Sequence, residues 1–176
     1  FKHPTPNEHN ENGLRLNLTK TFVDVNLSSG FYESQQIINL SCVLEGNIHY
    51  TLDGSEPNHK SDIYVNPIVL DSSCVLRARL IKKGFLPDAI ISRSFFINEK
   101  NSLAVVSLIV DPKDLWRKKK GIYRNFEKRG MEVPAHIEYF DTTETGAFQL
   151  SLSNAATTRI VGNTSRRQPK KSFAFF

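Results

Sequence analysis

The stretch from Tyr50 to Pro57, Tyr-Thr-Leu-Asp-Gly-Ser-Glu-Pro, constrains the fold more than any other part of the chain. Apolar Ile48, Tyr50 and Leu52 alternate with other residues, as in a strand with one buried face. The strand runs into Asp53-Gly54, a strong turn signal because glycine takes positive φ without a Cβ clash. Pro57 then lacks the N–H that a ladder needs, so the strand cannot simply continue. The segment predicts a β-rich unit whose register is set by a tight turn; it carries no chemistry of its own.

The pattern around it extends this reading. Strands are expected at Phe22–Leu27, Gln36–Val43, Ile48–Leu52, Ile63–Val65, Ile68–Leu70, Val75–Ile81 and Ile90–Ile97. Turn residues separate them: Ser-Ser-Gly at 28–30, Glu-Gly-Asn at 45–47, Asn66-Pro67 and Lys83-Gly84. About seven short strands so spaced argue for an antiparallel, immunoglobulin/fibronectin-III-like β-sandwich over 21–98. Residues 1–20, polar with Pro4 and Pro6, read as a linker or the tail of a preceding domain.

The character changes after the polar hinge 98–102. Leu103–Val110 is an almost unbroken apolar run, expected to be a strand covered on both faces. Asp111-Pro112 fits an N-cap followed by the first helical residue, with a helix over Lys113–Lys120 ended by Gly121. Strands are expected at Ala135–Phe140, Ala147–Leu152 and Thr157–Val161, with a last one starting at Ser172. The fold class is therefore mainly β, a sandwich followed by an incomplete α+β segment over 99–176. The closing Phe173-Ala174-Phe175-Phe176 leaves an apolar strand edge, which predicts homodimer formation through exposed edges or partial disorder beyond about residue 100.

Charge divides the same way. Residues 1–98 hold 9 Lys/Arg and 10 Asp/Glu, whereas 99–176 hold 14 and 8, so the whole +5 belongs to the second half. No stretch approaches the roughly 20 apolar residues of a membrane span. Cys42 and Cys74 share strand faces with apolar residues and read as two small inward-facing thiols, with a bridge between the sheets as the alternative. The five histidines, at 3, 9, 49, 59 and 136, have no metal-ligand spacing, and Asp53 and Glu56 read as solvated turn acids.

Two resemblances follow from particular residues. Gly30-Phe31-Tyr32, the run Ile48 to Pro57, Pro67-Ile68 and Val75-Leu76-Arg77-Ala78-Arg79 resemble the chitobiase/β-hexosaminidase C-terminal type of sandwich. The second half is similar to the start of the spore-coat protein H (CotH) kinase family. That likeness rests on Val105-Val106-Ser107-Leu108 with Asp111-Pro112, on Gly121-Ile122-Tyr123 with Pro134 to Asp141, and on Arg159 to Arg167 with Pro169-Lys170-Lys171-Ser172-Phe173. It implies a larger bacterial protein, secreted or at the cell surface, that transfers phosphate from ATP with magnesium to a protein acceptor. The acidic motifs that would hold the metal lie beyond this sequence, so the fragment alone is expected to be inactive.

Candidate sites follow. Arg159, Asn163, Ser165, Arg166, Arg167, Lys170 and Lys171 surround a flexible hydroxyl-bearing turn and would suit nucleotide phosphate, which needs oriented N–H donors and positive charge. Lys170 or Lys171 is the expected phosphate-neutralising lysine of the parent; the alternative is a solvated basic loop. Arg117-Lys118-Lys119-Lys120 fits the end of a helix, where cations suit the dipole. With only Trp116 and Tyr123 nearby, it does not argue for nucleic acid. Sugar binding, suggested by the company such sandwiches keep, would fall to Phe31 and Tyr32, in a carbohydrate- or protein-binding accessory module facing a cell-surface polysaccharide or a partner protein.

Overall fold

The computed structural model describes residues 23–176. The expected linker 1–20 and the start of the first strand at Phe22 lie outside the described residues. The first unit contains β1 (Asp24–Val25), β2 (Gly30–Tyr32), β3 (Gln36–Ile38), β4 (Leu40–Ser41), β5 (Asn47–Thr51), β6 (Asp62–Ile63), β7 (Ile68–Leu70), β8 (Cys74–Ile81) and β9 (Ile91–Ile97). One layer is made of the pairs β1-β4 and β3-β7; the other is a five-stranded sheet in the order β2-β9-β8-β5-β6. β2 runs parallel to β9, and the remaining pairs are antiparallel. This is a mainly β, immunoglobulin/fibronectin-III-like sandwich.

Its core follows from strand alternation. Leu76, Ala78 and Leu80 of β8 join Phe95 and Ile97 of β9 against Val23, Ile38, Leu40, Ile68 and Leu70 from the opposite layer. Ile48, Tyr50 and Leu52 pack against the same cluster, as their spacing predicts. Gly54 has φ +78°, so the Asp-Gly turn adopts the conformation glycine permits. Cys42 and Cys74 are free thiols set against the core.

The second unit is a single antiparallel sheet, β10-β11-β12-β13, formed by β10 (Val105–Ile109), β11 (Val133–Thr142), β12 (Phe148–Val161) and β13 (Ser172–Phe175). Three expectations are corrected here. The two strands expected at Ala147–Leu152 and Thr157–Val161 are one continuous strand, because the residues between them still pair along β11, through Asn154 with Ile137 and Ala155 with His136. β10 is an edge strand rather than a doubly covered one; Leu103 and Val106 are 78% and 54% exposed, and burial begins at Ile109.

The helix α1 spans only Pro112–Trp116. Asp111 caps it as expected, but Arg117 turns extended (ψ 134°) and ends it. The chain then folds back so tightly that a Cβ on Gly121 would lie 2.5 Å from the Leu115 carbonyl oxygen. Glycine therefore serves close approach of backbone, not continuation of a helix to residue 120. A short 3-10 turn at Thr164–Arg167 is the other helical piece among the described residues, so the α+β, kinase-like character expected for this half is not evident. A smaller core of Val110, Ile122, Val133 and Ile160 sits between the sheet and α1 with its following loop.

Candidate functional site: the junction of two sheets

The outer face of the five-stranded sheet, where alternation places Val75, Arg77, Ser92, Ser94 and Phe96, is covered by the second sheet. Ser92 and Ser94 are buried there, and so is Glu138 of β11, with no exposed surface. Both oxygens of the Glu138 carboxyl are used. Oε1 accepts from the Ser29 hydroxyl at 2.6 Å, and Oε2 accepts from the Ser94 N–H at 3.0 Å. The hydroxyls of Ser94 and Ser107 meet at 2.7 Å. A buried acid satisfied by two donors from the facing unit is a strong fastening, because removing it leaves the Ser29 hydroxyl without this acceptor and the Ser94 N–H with only Ser29 Oγ at 3.2 Å.

Ser153, His136 and Glu138 lie together, yet they do not form a nucleophilic relay. Ser153 Oγ meets His136 Nε2 at 2.9 Å, and Glu138 approaches that same nitrogen at 3.9 Å. A relay needs the acid on the opposite ring nitrogen, where it fixes the tautomer. Burial pushes the His136 pKa down, the carboxyl of Glu138 opposes that, and Arg93 and Arg77 reinforce it.

Two further contacts close the junction. Asp111 accepts from the Glu56 N–H at 2.9 Å through Oδ2, while Oδ1 caps α1 through the Lys113 N–H. Burial pushes the Asp111 carboxyl up, but its bonds from Lys113 and Glu56 outweigh that and hold it below the usual range. Glu56 also pairs with Arg79 at 3.2 Å and Lys113 at 3.6 Å. Asp53 accepts from both the N–H and hydroxyl of Ser55, which lowers its pKa. These turn acids are thus committed to the protein itself. At the other end, the Phe31 ring is stacked between Phe96 (centroids 4.5 Å apart) and Phe148 (4.0 Å), with Phe140 edge-on.

Beside that aromatic stack lies a cleft of about 610 Å³ lined by Phe31, Tyr32, Glu33, Asn98, Glu99, Lys100, Ala147 and Phe148. Phe31 and Tyr32 therefore do line one concavity. Phe31, covered on both ring faces, supports Phe148 rather than offering a platform itself. Tyr32 donates its hydroxyl to the Ser28 carbonyl, and burial raises its pKa. Phe148, which the sequence reading placed only in a strand, brings the third ring.

The seven basic-turn candidates separate into three groups. Arg166 is buried and spends its guanidinium on carbonyls: Nε donates to Phe126 at 2.7 Å, Nη2 to Lys128 at 3.0 Å, and Nη1 to Ile160. Lys171 Nζ donates to the Arg166 and Gln168 carbonyls and stands 4.0 Å from the Phe126 ring centroid. Arg159 pairs with Glu132 at 3.0 Å. Asn163 and Arg167 line a smaller cleft of about 370 Å³ with Phe126, Glu127, Arg129, Thr164 and Arg166. Ser165 and Lys170 are exposed and do not line it.

The fold thus defines a β-sandwich unit of immunoglobulin/fibronectin-III type, joined face to face to a second sheet. Within it, residues 27–92 are similar to the chitobiase/beta-hexosaminidase C-terminal domain, whose family model matches them. The match ends before β9 is complete and does not reach residues 93–176. No curated protein matches the chain.

Proposed function

We propose that this chain is a carbohydrate-binding accessory unit of a secreted or cell-surface protein, and that the cleft beside Phe148 is its binding site. One observation carries the reading: an aromatic ring, fixed from behind by Phe31, sits in a cleft whose other walls are planar or charged polar groups. Sugars present C–H faces that pack on aromatic rings and hydroxyl pairs that suit carboxylates and amides, here Glu33, Glu99 and Asn98. The family matched by residues 27–92 takes its name from glycosidases, in keeping with a polysaccharide partner.

A glycan array probed with the whole chain tests this. Binding is expected, and Glu33→Ala or Lys100→Ala should weaken it without changing the melting temperature. A blank array, or binding indifferent to both substitutions, removes the reading.

Phosphotransfer is the second reading, supported by the motif resemblance and by Asn163, Thr164 and Arg167 around the smaller cleft. Arg166 and Lys171 are structural in it, since both are already held on backbone carbonyls. Among the described residues no three His, Cys, Asp or Glu side chains gather closely enough to hold a metal ion. At the smaller cleft Glu127 is the one lining acid, and it already pairs with Arg167, so the carboxylates a magnesium nucleotide would use are not gathered there. Absence of nucleotide protection in hydrogen exchange over 159–171 would remove this reading as well.

A further inference from the structure

We infer that the loop following α1 is the docking face for a linear polyanion, a polymer bearing phosphate or sulfate groups and recognised by charge alone. Residues 117–129 contain seven Lys/Arg and one acid, Glu127, a net of +6. The whole chain carries +5, so the remaining residues sum to −1. The protein's entire basic character therefore lies in thirteen consecutive residues.

The fold does not neutralise this charge. Arg117, Lys118, Lys119, Lys120 and Arg124 are exposed, and none takes part in an ion pair among the described residues. Glu127, the one acid, pairs with Arg167 at 3.8 Å. Compensation of a helix dipole does not account for the cluster, because α1 has five residues and ends at Trp116.

The loop is also held in shape. Asn125 Nδ2 donates to the carbonyls of Gly121 (2.8 Å) and Lys118 (3.1 Å), and Tyr123 donates its hydroxyl to the Pro169 carbonyl. Arg129 bonds Asn163 Oδ1 at 3.2 Å, and the buried Arg166 grips the carbonyls of Phe126 and Lys128. A scaffold fixed before binding lowers the ordering cost of association.

Lysine-rich point charges spread over an open surface suit an extended, repeating anion better than a single planar group. Base recognition would need a row of stacking aromatics, and the exposed ring here is Trp116. The face lies at the start of β11 and the sugar cleft at its end, about 30 Å apart for ten extended residues. The two sites are therefore independent.

Trp116, the chain's only tryptophan and 53% exposed, reports on binding. The whole chain is titrated with long-chain inorganic polyphosphate and with heparin, following Trp116 fluorescence across about 0.05–0.2 M salt. Saturable binding to both is expected, weakening steeply with salt. The variant Lys118→Glu/Lys119→Glu/Lys120→Glu should lose at least about tenfold in affinity and flatten the salt slope by roughly two. Lys60→Glu/Lys83→Glu, on the sandwich, should change neither. Binding that ignores the triple variant or salt overturns the inference. So does single-stranded DNA of equal charge binding tenfold tighter, or binding seen with anionic vesicles and not with the free polymers.

Discussion

The two units of this protein are held by different means. The sandwich closes over ten buried apolar side chains, five from each layer, whereas the second unit gathers four and adds a buried arginine that ties three carbonyls together. Apolar burial is tolerant of detail and scales with area. A guanidinium staple is not tolerant, because each lost bond leaves a carbonyl without a partner. The sandwich therefore resembles an autonomous core, and the second sheet depends on a few specific contacts and on its neighbour.

The largest test of that contrast lies in the sandwich. Phe95→Ala empties a fully buried site and should cost about 3–5 kcal/mol in chemical denaturation; a loss below about 1 kcal/mol would mean the core is not the main support. Next comes Glu138→Ala, which takes the acceptor from the Ser29 hydroxyl and leaves the Ser94 N–H only its 3.2 Å bond to Ser29 Oγ, and should cost about 2–3 kcal/mol. Hydrogen exchange should then rise on both sides of the junction, and protection lost on one side alone would argue that the units are uncoupled.

Arg166→Met keeps bulk but removes every donor, and should cost about 2 kcal/mol. The effect should appear in the exchange of 121–130 and leave β3 and β7 untouched. The smallest effect is a pH dependence. His136 has a folded pKa depressed below 6.5, so its contribution is complete above that value and is lost as pH falls through the folded pKa. The melting temperature should drop below about pH 6.5, and His136→Gln should shrink that drop; an unchanged drop would assign the acid sensitivity elsewhere.

The sandwich was legible because its strands alternate cleanly: Leu76, Ala78 and Leu80 announce a buried face, and Asp53-Gly54 announces the turn. The same alternation concealed the junction. Arg77, Ser92 and Ser94 fall on the polar side of that alternation, and only the second layer buries the two serines. Glu138 gave one overlooked hint, an acid sharing its strand face with the fully buried Phe140. The basic turn was visible as composition, but which cations are spent on carbonyls depends on Arg166 reaching back across 38 to 40 residues to Lys128 and Phe126. No local pattern encodes that reach. Similarly, Gly121 reads as a helix stop, and the crowding that demands it comes from the Leu115 carbonyl.

Asp111, Glu138 and the Phe31–Phe148 stack fasten the two sheets at three stations along β11. Tension applied parallel to that strand would load all three in shear at once instead of peeling them apart in turn. A connector built this way should resist stretching along one axis and give way readily across it. Under the polysaccharide-binding role proposed above, the direction of pull would matter as much as the strength of the grip.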